Sequence, residues 1–180
     1  MLTYDKERQT LIQMENGIRA MNIACLNPDS TKEEQMQMYI IKNLTRSKIH
    51  IAAIQETHIT QDKDNILGNY RITNAASAKQ EETGVVQGGA EIMINESTKQ
   101  YITQITRQSS RILKVTIDNQ HSNMHIQIIS TYAPKNGHAE EDRRQHWGEV
   151  REIPNKTCKR HMTIWCADAN GQLGIDKKRR

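Results

Sequence analysis

Five side chains sit where a strand gives way to a loop, and together they could handle a phosphate ester and a hard cation. Glu56 follows the short, nearly continuous apolar run 49–54, which reads as a strand buried on both faces. A carboxylate there is costly unless something neutralises it. Mg²⁺ is the natural partner, because it takes oxygen ligands and keeps several waters. Asn27 closes the apolar run Ile23-Ala24-Cys25-Leu26. Its amide both donates and accepts, so it can hold a metal-bound water or a neighbouring carboxylate. Asn22 competes for that role, and Asn before Pro28 is equally a turn string. Tyr132 follows the run 126–129 and precedes Pro134, where its phenol can donate to a phosphate oxygen. Asp168 and Asn170 are two apart and so face the same side of an extended backbone. Asp168 can orient or deprotonate an attacking water while Asn170 stabilises charge on the phosphate, and phosphodiester hydrolysis needs both services. Taken singly, each has an ordinary reading: an exposed loop Glu, an interfacial Tyr, an Asp-Ala-Asn-Gly turn.

The elements that must carry these residues are readable from apolar patterning. The run Ile18 to Leu26 ends at Asn27-Pro28-Asp29, the mark of a strand entering a turn. A helix is predicted over 32–46, capped by Ser30 or Thr31, with Glu33 and Glu34 in its first turn. Met36, Tyr39, Ile40 and Leu44 share one face of it. Strands follow at 49–54, 70–73, 90–94, 101–106, 111–117 and 125–131, the last two joined by an Asn-rich hairpin at 118–123. Alternation in Ile112, Lys114, Thr116 and in Ile126, Ile128 predicts half-buried strands. An amphipathic helix at 139–152 precedes a final strand, 161–167. Crossovers mixed with hairpins predict layered sheets with helices outside. Residues 1–17 read as a polar leader outside the fold, and 18–180 as one domain.

Composition narrows the function classes. The net charge of +4, with 25 Lys and Arg against 21 Asp and Glu, suits a polyanionic partner. Part of the excess lies in Lys177-Lys178-Arg179-Arg180, which reads as a solvated tail. Three cysteines without zinc spacing exclude a zinc module, and Cys25 and Cys166 read as small buried hydrophobes. No apolar run approaches about 18 residues and Met1 to Thr10 is polar, so a membrane partner is not expected and an intracellular, reducing location is, with the nucleus among the candidates. The string Gly84-Val85-Val86-Gln87-Gly88-Gly89 lacks the Lys-Ser/Thr of a P-loop and opens a strand.

The strings Asn27, Gln55-Glu56-Thr57-His58, Thr131-Tyr132-Ala133-Pro134 and Ala167-Asp168-Ala169-Asn170-Gly171, in this order, resemble the endonuclease/exonuclease/phosphatase superfamily with its deoxyribonuclease-I-like fold. His58 points to the LINE-type retrotransposon endonuclease branch. The resemblance covers about 18–174 and implies an α/β, four-layer αββα sandwich, incomplete at the C-terminus. It implies a Mg²⁺-dependent (or Mn²⁺-dependent) DNA-nicking hydrolase, with Glu56 as principal metal ligand supported by Asn27 and Asp168. Tyr132 would contact the scissile phosphate, and Asn27, Glu56, Tyr132, Asp168 and Asn170 would form the catalytic set. A downstream reverse transcriptase would be a partner in a longer parent protein. The family's Ser-Asp-His string has no counterpart, since all seven histidines precede Asp168. The expectation is therefore a weakly active or inactive chain. A non-enzymatic remnant, or a phosphatase of the same superfamily, are the alternatives.

Overall fold

The computed structural model describes residues 10–12, 21–79, 86–118, 125–135, 137–155 and 161–170. Two crossover units frame the fold. In the first, strand β2 (Met21–Leu26) leads through helix α1 (Glu34–Arg46) to β3 (Ile51–Gln55), parallel to β2. In the second, β11 (His125–Tyr132) leads through α3 (Glu140–Asn155) to β12 (His161–Asp168), again parallel. Antiparallel strands lie between them in sequence: β4 (Lys63–Leu67), β5 (Tyr70–Ala75), β8 (Ala90–Asn95), β9 (Ile102–Ser109) and β10 (Ile112–Asp118). With β1 (Thr10–Ile12), they make a six-stranded sheet, β1-β2-β3-β8-β5-β4, and a four-stranded sheet, β12-β11-β10-β9. The two-residue strands β6 (Ala78–Lys79) and β7 (Val86–Gln87) pair separately.

The sheets face each other across the main core. Met21, Ile23, Ile51, Ala53, Ile92 and Ile94 of the larger sheet meet Leu113, Val115, Ile117, Ile126 and Ile128 of the smaller. On the outer face of the larger sheet, Ile40, Ile41 and Leu44 of α1 pack over Ala52, Ile54, Ile72 and Met93. On the outer face of the smaller, Ile153 and Val150 of α3 cover Ile112 and Ile129. Helix, sheet, sheet, helix: this is the four-layer αββα sandwich. Polar stitches also cross between the sheets. Buried Gln55 donates to Ser130 Oγ at 3.0 Å and to the Cys166 carbonyl at 3.2 Å, while Ser130 Oγ donates back to the Ile54 carbonyl at 2.9 Å. Arg107 of β9 donates to the Asn74 carbonyl at 2.7 Å and the Lys63 carbonyl at 3.1 Å.

Several expectations need correction. Thr10–Ile12, inside the segment read as a leader, pairs antiparallel with β2, because even three residues can add to an open strand edge. The rest of that segment lies outside the described residues, as do Ile18 to Ala20, Gly84, Val85 and the hairpin tip at 119–124. Neither Ser30 nor Thr31 caps α1; Glu33 holds that position without a side-chain bond. Ser30 Oγ instead accepts from the Lys32 N–H at 3.2 Å, and Thr31 is drawn inward to Glu91. Tyr39 is exposed and Ile41 takes its place in the core. β10 and β11 are buried on both faces rather than one, since α3 covers the side expected to meet solvent. β4 and the four-residue helix α2 (Glu96–Lys99) were not predicted.

Candidate active site

The two parallel pairs end side by side, and polar residues cluster beyond their carboxyl ends. Glu56 follows β3 directly and is buried. Its Oε2 accepts from Asn27 Nδ2 at 3.1 Å, at the end of β2. The same Asn27 nitrogen donates to Asp168 Oδ2 at 2.7 Å, at the end of β12. An amide nitrogen carries two hydrogens, and both are used here to hold one carboxylate from each crossover unit. Glu56 Oε1 accepts from the Tyr132 hydroxyl at 2.9 Å and from Lys135 Nζ at 2.5 Å. Asn170 closes the group: its backbone N–H donates to Asp168 Oδ1 at 3.0 Å and its side chain to the Ala133 carbonyl at 2.7 Å.

All five residues singled out in the sequence therefore meet in one place. Asn27 also serves in the turn, its Oδ1 accepting from the Asp29 N–H at 3.1 Å. Nitrogen, not oxygen, faces the two carboxylates, so Asn27 positions them rather than presenting an oxygen between them. Asn22 lies at the other end of β2, bonded to His50 and the Lys48 carbonyl, and is set aside. His58 stands at the margin, Nε2 4.0 Å from Glu56 Oε1.

Sequence reasoning missed two neighbours. Lys135, just past Pro134, carried no pattern to mark it. Arg111 lies with its guanidinium carbon 5.4 Å from the centre of the Tyr132 ring, pressing on the phenol's face. It stands at the start of a strand, where an Arg normally faces water.

Electrostatics follow from these contacts. Burial pushes the Glu56 carboxyl up, but bonds from Lys135, Asn27 and Tyr132, with the charge of Lys135, outweigh it and hold the group below its ordinary value. Burial and the bond to Glu56 push the Tyr132 phenol up, so it stays a donor at neutral pH. The Lys135 ammonium is held well above its usual range by its bonds to Glu56 and Tyr132.

The backbone is held in uncommon conformations here. Glu56 (φ 59°), His58 (φ 57°) and Asn170 (φ 42°) are in left-handed geometry, which costs non-glycine residues about 1–3 kcal/mol each and tends to collect at functional sites. Gly89 (φ 93°) backs this loop, and a β-carbon placed there would overlap the Thr57 and Ser77 hydroxyls. A Gly89→Ala variant is expected to lose about 2–4 kcal/mol, since its methyl would collide with both hydroxyls in a conformation alanine disfavours. Urea unfolding would measure this, and a loss below about 0.5 kcal/mol would show that the loop can shift.

Among the described residues no group of three His, Cys, Asp or Glu gathers to hold a metal. The Glu56–Asp168 pair still fits Mg²⁺, which is commonly held by one or two carboxylates with water completing its shell. The donor set is all oxygen, which suits Mg²⁺ or Mn²⁺ and not zinc.

No family model matches the sequence, and no curated protein matches it. Solved structures do. An AP endonuclease from Leishmania major, LMAP, aligns over 92% of this chain with a TM-score of 0.59 and 14% identity, 56% of its own length being covered. The endonuclease domain of TRAS1, a telomere-specific non-LTR retrotransposon, aligns over 83% of this chain with a TM-score of 0.53 and 17% identity, 59% of it covered. An endonuclease/exonuclease/phosphatase family protein from Leptotrichia buccalis aligns over 82%, with a TM-score of 0.50 and 14% identity, 65% of it covered. This chain has the deoxyribonuclease-I-like fold. It spans less than two thirds of each of these three structures. In this deoxyribonuclease-I-like chain, the site lies where the carboxyl ends of the two parallel pairs meet.

Proposed function

We propose that the chain is a divalent-metal-dependent phosphodiesterase that nicks DNA, of the retrotransposon-endonuclease type. The observation that carries this is the single amide of Asn27 joining Glu56 and Asp168 while Tyr132 holds the other Glu56 oxygen. Such a group presents two carboxylates, one phenol and one ammonium to a shared space, which suits a phosphate diester. The fold it shares with an AP endonuclease and a retrotransposon endonuclease domain supports DNA as substrate, as does the net charge of +4.

Glu56, with Asp168 beside it and Asn27 placing both, would hold the Mg²⁺. When bound, the ion supplies charge neutralisation at the phosphoryl oxygens. Asp168, half-buried at the end of β12 with Asn170 on one oxygen and Asn27 on the other, orients the attacking water and accepts its proton on a remaining lone pair. Tyr132 remains protonated and offers its hydroxyl to a phosphate oxygen. Asn170 fixes Asp168 from behind and presents its amide at the rim. A reverse transcriptase acting beside this domain, and a reducing, intracellular setting for the Cys25 and Cys166 thiols, belong to the same proposal.

The test is relaxation of supercoiled plasmid with protein in excess over DNA. The expected result is slow nicking that requires Mg²⁺ or Mn²⁺, stops with chelator and is lost in Glu56→Gln. Nicking that survives in that variant, or none from the parent chain, would overturn the assignment.

A further inference from the structure

Lys135 makes the shortest contact to Glu56, at 2.5 Å, and it stands on the oxygen that also takes the Tyr132 hydroxyl. The pair is lopsided. Lys135's side chain is 56% exposed and Glu56's 9%. A long, solvated side chain thus delivers one positive charge to a nearly buried carboxylate. The other carboxylate oxygen is held by Asn27, and the His58 imidazole stands 4.0 Å from Oε1.

An ammonium this close uses Glu56 as a metal ion would. A divalent cation reaching Oε1 must displace it or share the oxygen with a like charge, and both weaken binding. We propose that Lys135 is a tethered cation that competes with the divalent metal for Glu56 and so sets the affinity of the site. The inference rests on the metal reading given above, and it goes beyond it by assigning the control of affinity to a residue that ligates nothing. Its exposure matters in two ways: the ammonium can swing out into water when a cation takes its place, and replacing it leaves the core untouched.

Mn²⁺ titration followed by paramagnetic broadening of amide signals tests this on the parent chain and on Lys135→Gln, Lys135→Arg and Glu56→Gln. The expected result is a roughly tenfold lower Kd for Lys135→Gln, little change for Lys135→Arg and loss of site broadening for Glu56→Gln. An unchanged or weaker Kd in Lys135→Gln, with broadening still dependent on Glu56, would overturn the competition while leaving the metal reading intact. Equal tightening by Gln and Arg would also overturn it, since side-chain shape and not charge would be responsible. Broadening that ignores Glu56→Gln in every background would sink the metal reading itself, and the competition with it.

Discussion

A Glu91→Gln variant is expected to be more stable than the parent chain at pH 8 and close to equal with it near pH 4. Glu91 lies on β8 with no exposure, on the face that packs against α1. Only long contacts reach it: Thr31 Oγ1 at 3.4 Å and Gln37 Nε2 at 3.5 Å, both to Oε2. Among the described residues Oε1 has no partner. Burial pushes the carboxyl up from 4.5 to about 8, against a smaller opposing effect from Thr31. In the unfolded chain the same group ionises near its ordinary value. From pH 4.5 to about 8 the folded state therefore holds a proton that the unfolded state has released. Each unit of pH rise across that window lowers stability by about 1.4 kcal/mol from this group alone. The contribution is whole below the unfolded value and gone once pH passes the folded one. Glutamine has nearly the same shape and does not ionise, so the difference between variant and parent should grow with pH to several kcal/mol, on the order of 4. Urea unfolding at pH 4, 6 and 8 measures it. A difference that stays flat across that range would mean that water reaches Oε1 in the folded chain.

Asp168→Asn should cost about 10²–10³ in nicking rate while the fold is unchanged. An asparagine side chain can still accept the Asn27 bond through its oxygen, so the link between the crossover units is retained. What it loses is the negative charge that takes the proton from water and steadies the cation, together with the oxygen that accepts the Asn170 N–H. Mn²⁺ binding should weaken by a few-fold only, because Glu56 stays. Single-turnover plasmid relaxation beside the Mn²⁺ titration separates the two effects. A variant that nicks at the parent rate would move the proton acceptor elsewhere, whereas loss of both rate and metal would make Asp168 a primary ligand.

What could be read from the sequence, and what could not, divides along physical lines. Glu56, Tyr132 and Asp168 stood out because each follows an apolar strand, where a polar side chain needs a reason. Their convergence depends on two parallel pairs ending together, which the order strand, helix, strand at each end of the chain implied. Lys135 was invisible because an exposed Lys after Pro134 is ordinary until its partner is known. Glu91 was invisible for the opposite reason: a Glu beside Ile92 reads as the wet face of a strand, and only the docking of α1 makes it dry. β4 has no apolar alternation, four of its five residues being exposed. It exists through its ladder to β5 and the Arg71–Asp64 pair, with Nε to Oδ1 at 2.8 Å and Nη2 to Oδ2 at 2.5 Å. Tyr39 matched the helical period yet points outward, because it borders the stripe that Ile40, Ile41 and Leu44 fill.

The Asn27 amide reaches Asp168 across 141 positions of the chain, and the Tyr132 hydroxyl reaches Glu56 across 76. Closures of that span come late in the search for the native topology, after local hairpins and crossovers have formed. The cluster then has little standing in the folding transition state. A cation held between Glu56 and Asp168 would leave the refolding rate nearly untouched and slow the unfolding rate instead. Bound metal would thus act as a kinetic latch on a finished molecule, lengthening its lifetime without helping it to fold.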